Sequence, residues 1–103
     1  MINAGSINEI KPGNMNRVDT PDGKRLLVCN VNDEFYAVDD MCTHEDASLY
    51  LGCLKGDEVQ CSLHGGMFNV KTGAATVEPA ELPLKTYVVT LRDNQIQIDY
   101  PQS

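Results

Sequence analysis

Apolar and polar residues follow one another in short runs along this chain, and turn-forming residues separate the runs. Arg25-Leu26-Leu27-Val28-Cys29-Asn30-Val31 is an apolar, partly β-branched stretch that begins just after Pro21-Asp22-Gly23. Asn32-Asp33 follows, and then Phe35-Tyr36-Ala37-Val38. This pattern predicts two strands joined as a hairpin. Near the end, Tyr87-Val88-Val89-Thr90-Leu91 and Gln95-Ile96-Gln97-Ile98 flank Arg92-Asp93-Asn94. The second arm alternates apolar and polar residues, as a half-buried strand does. No window sustains helical periodicity over three turns, and only a short helix over residues 47–51 fits the pattern. The expected fold is all-β, with antiparallel strands in a small sandwich or barrel.

The middle of the chain differs from both flanks. Residues 41–73 collect Cys, His and Gly with only brief apolar pieces between them. Apolar burial alone is not expected to hold such a stretch, so something else should organise it. There is no internal repeat, low-complexity tract or linker. The 103 residues, 42% of them hydrophobic, fit one domain spanning residues 1–103.

Charge narrows the partners. Eight Lys and Arg against fifteen Asp and Glu leave a formal charge of −7. No cationic stripe is present to displace counterions from phosphates, which argues against nucleic acid and against an anionic membrane surface. The balance suits a soluble protein steered towards a basic protein partner. The start, MINAGSINEI, lacks a basic region followed by an apolar stretch, and no run approaches the ~20 apolar residues of a membrane span. A cytoplasmic location is the default expectation. In a reducing compartment, four cysteines argue for ligands or buried thiols rather than disulfides.

The chemistry-bearing residues are Cys42-Thr43-His44 and Cys61-Ser62-Leu63-His64, with sixteen residues between His44 and Cys61. The chain holds only two histidines, and each closely follows a cysteine. A lone Cys is usually a small buried hydrophobe, but two Cys/His pairs point to a shared metal centre. Thiolate plus imidazole suits zinc or an iron–sulfur centre. Structural zinc sites favour paired like ligands, whereas here each pair is mixed. Mixed pairs make sense if one iron takes both cysteines and the other both histidines, so that two loops clamp one cluster.

The spacing C-x-H-x16-C-x2-H resembles the Rieske motif, in which two His replace two Cys on one iron of a 2Fe–2S cluster. Cys61-Ser62-Leu63-His64-Gly65-Gly66 is similar to the family's second loop. Met67-Phe68-Asn69 and Thr72-Gly73 look like the strand and turn that follow it, and Pro79-Ala80-Glu81-Leu82-Pro83-Leu84 like the segment covering the cluster. The similarity runs from about residue 39 to residue 98, and is best to the small ferredoxins serving bacterial ring-hydroxylating oxygenases.

The resemblance implies a Rieske-type antiparallel β sandwich or barrel with a small cluster-binding subdomain formed by two loops. It implies one 2Fe–2S cluster on Cys42, His44, Cys61 and His64. It also implies a monomeric carrier, not an enzyme, that takes electrons from a ferredoxin reductase and gives them to a terminal oxygenase. No dinucleotide fingerprint and no spare histidines are present for a second centre. A Rieske-like small subunit of an assimilatory nitrite reductase and a structural zinc module are the alternatives.

The donor set has an electrostatic logic. With four thiolates, such a cluster goes from doubly to triply negative on reduction; with two imidazoles it goes from neutral to singly negative. The added electron costs less work, which gives Rieske centres potentials of about −150 to +300 mV, against about −400 mV for four-thiolate ferredoxins. High-potential relatives add a disulfide between the two loops, at positions matching Ala47 and Leu63. They also place hydroxyls at positions matching Gly66 and Phe68. This chain has neither, so the expected potential is near the low end, about −150 mV.

Among other residues, Cys29 is expected to be a core thiol and Cys53 a bystander. Gly65 and Gly66 are expected to let backbone N–H groups approach the cluster sulfurs. Pro79 and Pro83 are expected to stiffen the shielding segment. Glu45 and Asp46 are expected to ring the electron exit and meet basic residues on a partner.

Overall fold

The computed structural model describes residues 2–41, 48–62, 65–78 and 82–100. Six strands form the larger sheet: β1 (Ile2–Ser6), β2 (Met15–Asp19), β3 (Arg25–Val31), β4 (Glu34–Asp39), β9 (Thr86–Arg92) and β10 (Gln95–Asp99). Their order is β1-β10-β9-β4-β3-β2. The smaller sheet has the order β5-β6-β7-β8, from β5 (Cys53–Lys55), β6 (Glu58–Gln60), β7 (Met67–Asn69) and β8 (Ala75–Val77). Every strand pairing is antiparallel. The helical content among the described residues is two single 3-10 turns, Ile7–Glu9 and Leu49–Leu51. The second lies within the stretch where a short helix was expected.

Both expected hairpins form, and their turn chemistry explains why. Asn32 and Asp33 have φ of 52° and 69°, and Asp93 and Asn94 have φ of 52° and 62°. Two consecutive left-handed residues make the tight turn whose twist matches the flanking strands. Asn and Asp are the side chains that best tolerate that region. One boundary differs from the sequence reading. Arg92 pairs with Gln95, so it ends β9 and only Asp93-Asn94 turns.

The apolar run of β3 is buried on both faces. Side chains alternate across a strand, so Leu26 and Val28 enter one core with Ala37, Ile96 and Ile98. Leu27, Cys29 and Val31 enter a second core with Leu49, Val59 and Phe68. Continuous rather than alternating hydrophobicity is what such a strand requires. The second core draws in residues of the 41–73 stretch. Leu49, Val59 and Phe68 are completely buried there, and Val70 almost so. Val59 and Phe68 come from strands of three residues, Leu49 from a 3-10 turn and Val70 from the turn after β7, and they join the core that the far face of β3 shares.

Beyond β7 the chain turns at Gly73, whose φ is +82°; a Cβ there would lie 2.2 Å from the Leu84 carbonyl oxygen. That close approach lets Leu84 N–H donate to the Gly73 carbonyl at 2.7 Å, which anchors the return segment before β9. At the other end of that segment, Tyr87 Oη donates to Asp39 Oδ1 at 2.7 Å. Lys24 Nζ lies 3.2 Å from the same oxygen. Burial, followed by the Asp39 hydrogen bond, pushes the Tyr87 phenol up to about 12.

Candidate metal centre

Of the four expected ligands, Cys61 belongs to the described residues; Cys42, His44 and His64 lie outside them. Cys61 follows β6 directly. It is a free thiol, 4% exposed, grouped with Val59 and Phe68 in the second core. Its N–H donates to the Gly66 carbonyl at 2.8 Å, so residues 61–66 close on themselves across the foot of the loop. Gln60 Nε2 adds a longer bond to the Gly65 carbonyl, 3.4 Å. Gly65 has φ +75° and Gly66 is buried.

The first loop is closed in a comparable way. Met41 and Ser48 form an isolated antiparallel bridge, so both feet of residues 42–47 are held together. Asp40, 2% exposed, stands beside this neck. Its Oδ2 accepts from Ser48 Oγ at 2.5 Å and its Oδ1 from Tyr50 N–H at 3.0 Å. An added Cβ on Gly52 would sit 1.8 Å from the Gln60 carbonyl oxygen, so the residue leading into β5 lies directly on the strand that precedes Cys61. An open cleft lies here, lined by Leu51, Cys53, Cys61, Ser62 and Gly65 among others.

Cys29 is fully buried, and burial, with a smaller contribution from the Asp40 charge, pushes its thiol up to about 12. It is an inert core thiol, as expected. Cys53 is exposed on the cleft, its Sγ 3.5 Å from Gln60 Oε1. Phe68, which has no hydroxyl to donate, is wholly buried beside Val59. Pro83 is exposed while Leu84 beside it is buried. Glu45, Asp46, Ala47, Leu63 and Pro79 lie outside the described residues. Among the described residues no group of three His, Cys, Asp or Glu side chains gathers for a metal.

Asp40, Gln60 and Gly52 were missed by sequence reasoning. The available signal was position: an acid stands two residues ahead of the Cys-x-His pair and a glutamine directly precedes the Cys-x-x-His pair.

The donor set fits an iron–sulfur centre. A desolvated, free cysteine follows β6 directly, and the feet of the first loop are joined to each other through Met41, Asp40 and Ser48. An all-β scaffold of two antiparallel sheets, with its cysteine- and histidine-bearing loops leaving the ends of strands, defines a cluster-carrying β protein. The Rieske [2Fe-2S] domain model matches residues 1–88, and the chain belongs to that family; its cofactor is a Rieske-type 2Fe–2S cluster. The chain is 40% identical over 100 residues to the ferredoxin component of the p-cumate 2,3-dioxygenase system of Pseudomonas putida. That match covers 96% of this chain and 85% of the relative. It is 42% identical to the biphenyl 2,3-dioxygenase ferredoxin component of Rhodococcus jostii, over 91% of this chain and 87% of the relative. The solved Sphingomonas yanoikuyae ferredoxin superposes with a TM-score of 0.92 at 36% identity, covering 97% of this chain and 98% of that one.

Proposed function

We propose that this protein is a one-electron carrier, taking electrons from a ferredoxin reductase and passing them to a terminal ring-hydroxylating oxygenase. The observation that carries the reading is the 40% identity, across nearly the whole length of both chains, to a dioxygenase ferredoxin component. The intact C-x-H-x16-C-x2-H motif supports it. Cys42 and Cys61 hold one iron and His44 and His64 the other. The cluster supplies one-electron chemistry, becoming singly negative when reduced. The chain's own part is to grip the irons from two tethered loops and to keep the Cys61 side desolvated. It works as a single domain, since β3 contributes to both cores. It performs no substrate oxidation itself and acts in the cytoplasm; among the described residues no helix is long and apolar enough to cross a membrane.

The potential lies near the low end of the Rieske range, about −150 mV, because Gly66 and Phe68 offer no hydroxyl that would stabilise the reduced cluster. Protein-film voltammetry giving a clearly positive value overturns that assignment. The whole reading is tested by mixing the purified protein with a ferredoxin reductase, NADH and a ring-hydroxylating oxygenase. Product formation that depends on this chain supports it. Cluster-loaded protein that neither accepts nor delivers electrons in any such mixture overturns it. A nitrite reductase small subunit shares the fold at a TM-score of 0.83 but only 18% identity, which speaks to architecture alone. Obligate co-purification with a large reductase subunit is the result that favours that alternative.

A further inference from the structure

A carboxylate removed from water is costly unless hydrogen bonds replace the water it loses. Asp40 is such a group, at 2% exposure, and both its carboxylate oxygens accept hydrogen bonds. Its backbone N–H donates to the Arg25 carbonyl at 3.1 Å, which fixes it to β3. Its other contacts reach across the neck of the first loop. Oδ2 accepts from Ser48 Oγ, Oδ1 from Tyr50 N–H, and the backbone carbonyl from Leu49 N–H at 2.7 Å. Three successive residues at the far foot, 48 to 50, are thus held by one residue at the near foot. Arg17 extends the tie, with Nη1 donating to Ser48 Oγ at 3.2 Å and its guanidinium 5.3 Å from the Tyr50 ring centroid.

Among the described residues the second loop shows no equivalent. It is closed by neutral bonds, Cys61 N–H to the Gly66 carbonyl and Gln60 Nε2 to the Gly65 carbonyl. Bonds to a charged acceptor are shorter and stronger than neutral ones. The charged tie sits where the gap is longest, across residues 42–47, two residues ahead of Cys42. We propose that Asp40 is a positioning residue for the cluster: by tying itself to Ser48, Leu49 and Tyr50 it fixes the two feet that flank the Cys42 and His44 segment. The proposal rests on the ligand assignment of the preceding section. Groups that orient metal ligands without touching the metal tune its affinity and electronic structure.

The test compares the full, cluster-loaded chain with Asp40→Ala, Asp40→Asn and Ser48→Ala. The readouts are EPR g-values after reduction, the reduction potential, and the rate of iron loss to a chelator. Asp40→Ala is expected to displace the g-values and potential and to lose iron about tenfold faster. Asp40→Asn keeps an acceptor for Tyr50 N–H and is expected to restore much of the parent g-values. Ser48→Ala is expected to shift all three readouts by less. Parent values in Asp40→Ala overturn the proposal. If that variant does not fold, parent values in Ser48→Ala overturn it instead. A parent chain without iron and acid-labile sulfide overturns the ligand assignment and this inference with it; a loaded parent with unmoved variants overturns the role of Asp40 alone.

Discussion

The two sheets of this protein are built on different terms. The larger one has strands of five to seven residues, tight two-residue hairpins and a face closed by Leu26, Val28, Ile96 and Ile98. The smaller one has four strands of three residues each, too short to stand alone in water. Its core is borrowed, because Val59 and Phe68 pack on the far face of β3. Cys61 directly follows β6 of the smaller sheet, and Gly52, just before β5, packs closely on Gln60. The difference teaches that the site is carried by the less self-sufficient half, where a bound cluster can contribute most to stability.

The sharpest way to break the comparison is to remove the cluster. Cys61→Ala is expected to abolish iron binding, with iron falling to near zero in elemental analysis. Hydrogen exchange should then show the amides of β5 to β7 losing protection while β3 and β10 keep theirs. Uniform loss in both sheets would mean that the two halves are not energetically distinct. Next in size come core truncations. Phe68→Ala is expected to cost about 3–5 kcal/mol and Ile98→Ala about 2–5 kcal/mol by denaturant unfolding. Only the first should also alter the visible spectrum of the cluster. An equal spectral change in both would erase the distinction.

Tyr87→Phe probes the larger sheet by pH. The neutral phenol is favoured in the folded protein, with a pKa of about 12 against 10.0 unperturbed. Its contribution is therefore fully present below about pH 10 and is lost as pH rises towards 12. At pH 8 the variant should be less stable by about 1 kcal/mol. The gap between parent and variant should close between pH 10 and 12, as read by urea unfolding at each pH. A gap constant over that range contradicts the raised value. The smallest effect is expected at the Arg25–Asp19 pair, 3.9 Å apart and well exposed on both sides. Arg25→Gln should change stability by less than about 0.5 kcal/mol, and less again in high salt.

The legible parts of the fold are those with strong local signals. Both long hairpins announce themselves through apolar arms around Asn-Asp and Asp-Asn. By contrast, β1 and β2 are edge strands, and every residue of β2 is half-buried or exposed. Weak periodicity is what such strands leave in a sequence. The strands β5, β6 and β8 are shorter than any window in which alternation can be counted. The fully buried Phe68 of β7 was placed in a strand by resemblance rather than by pattern. At the site, the Cys/His spacing pointed to shared metal ligation because ligand geometry demands specific residue types at specific intervals. Asp40 carried no such mark, since one acid among fifteen gains meaning only from what surrounds it.

By itself, then, the order of residues determined the β character, the two principal hairpins and the four candidate donors, each a consequence of chemistry acting over a few neighbouring positions. Only the tertiary structure decided that β3 serves two cores, that Gly52 must touch Gln60, and that a buried carboxylate ties one loop. Those features depend on contacts between residues far apart in the chain, such as Arg17 with Ser48 and Leu27 with Phe68. No local pattern encodes a distance that exists only after the sheets have closed.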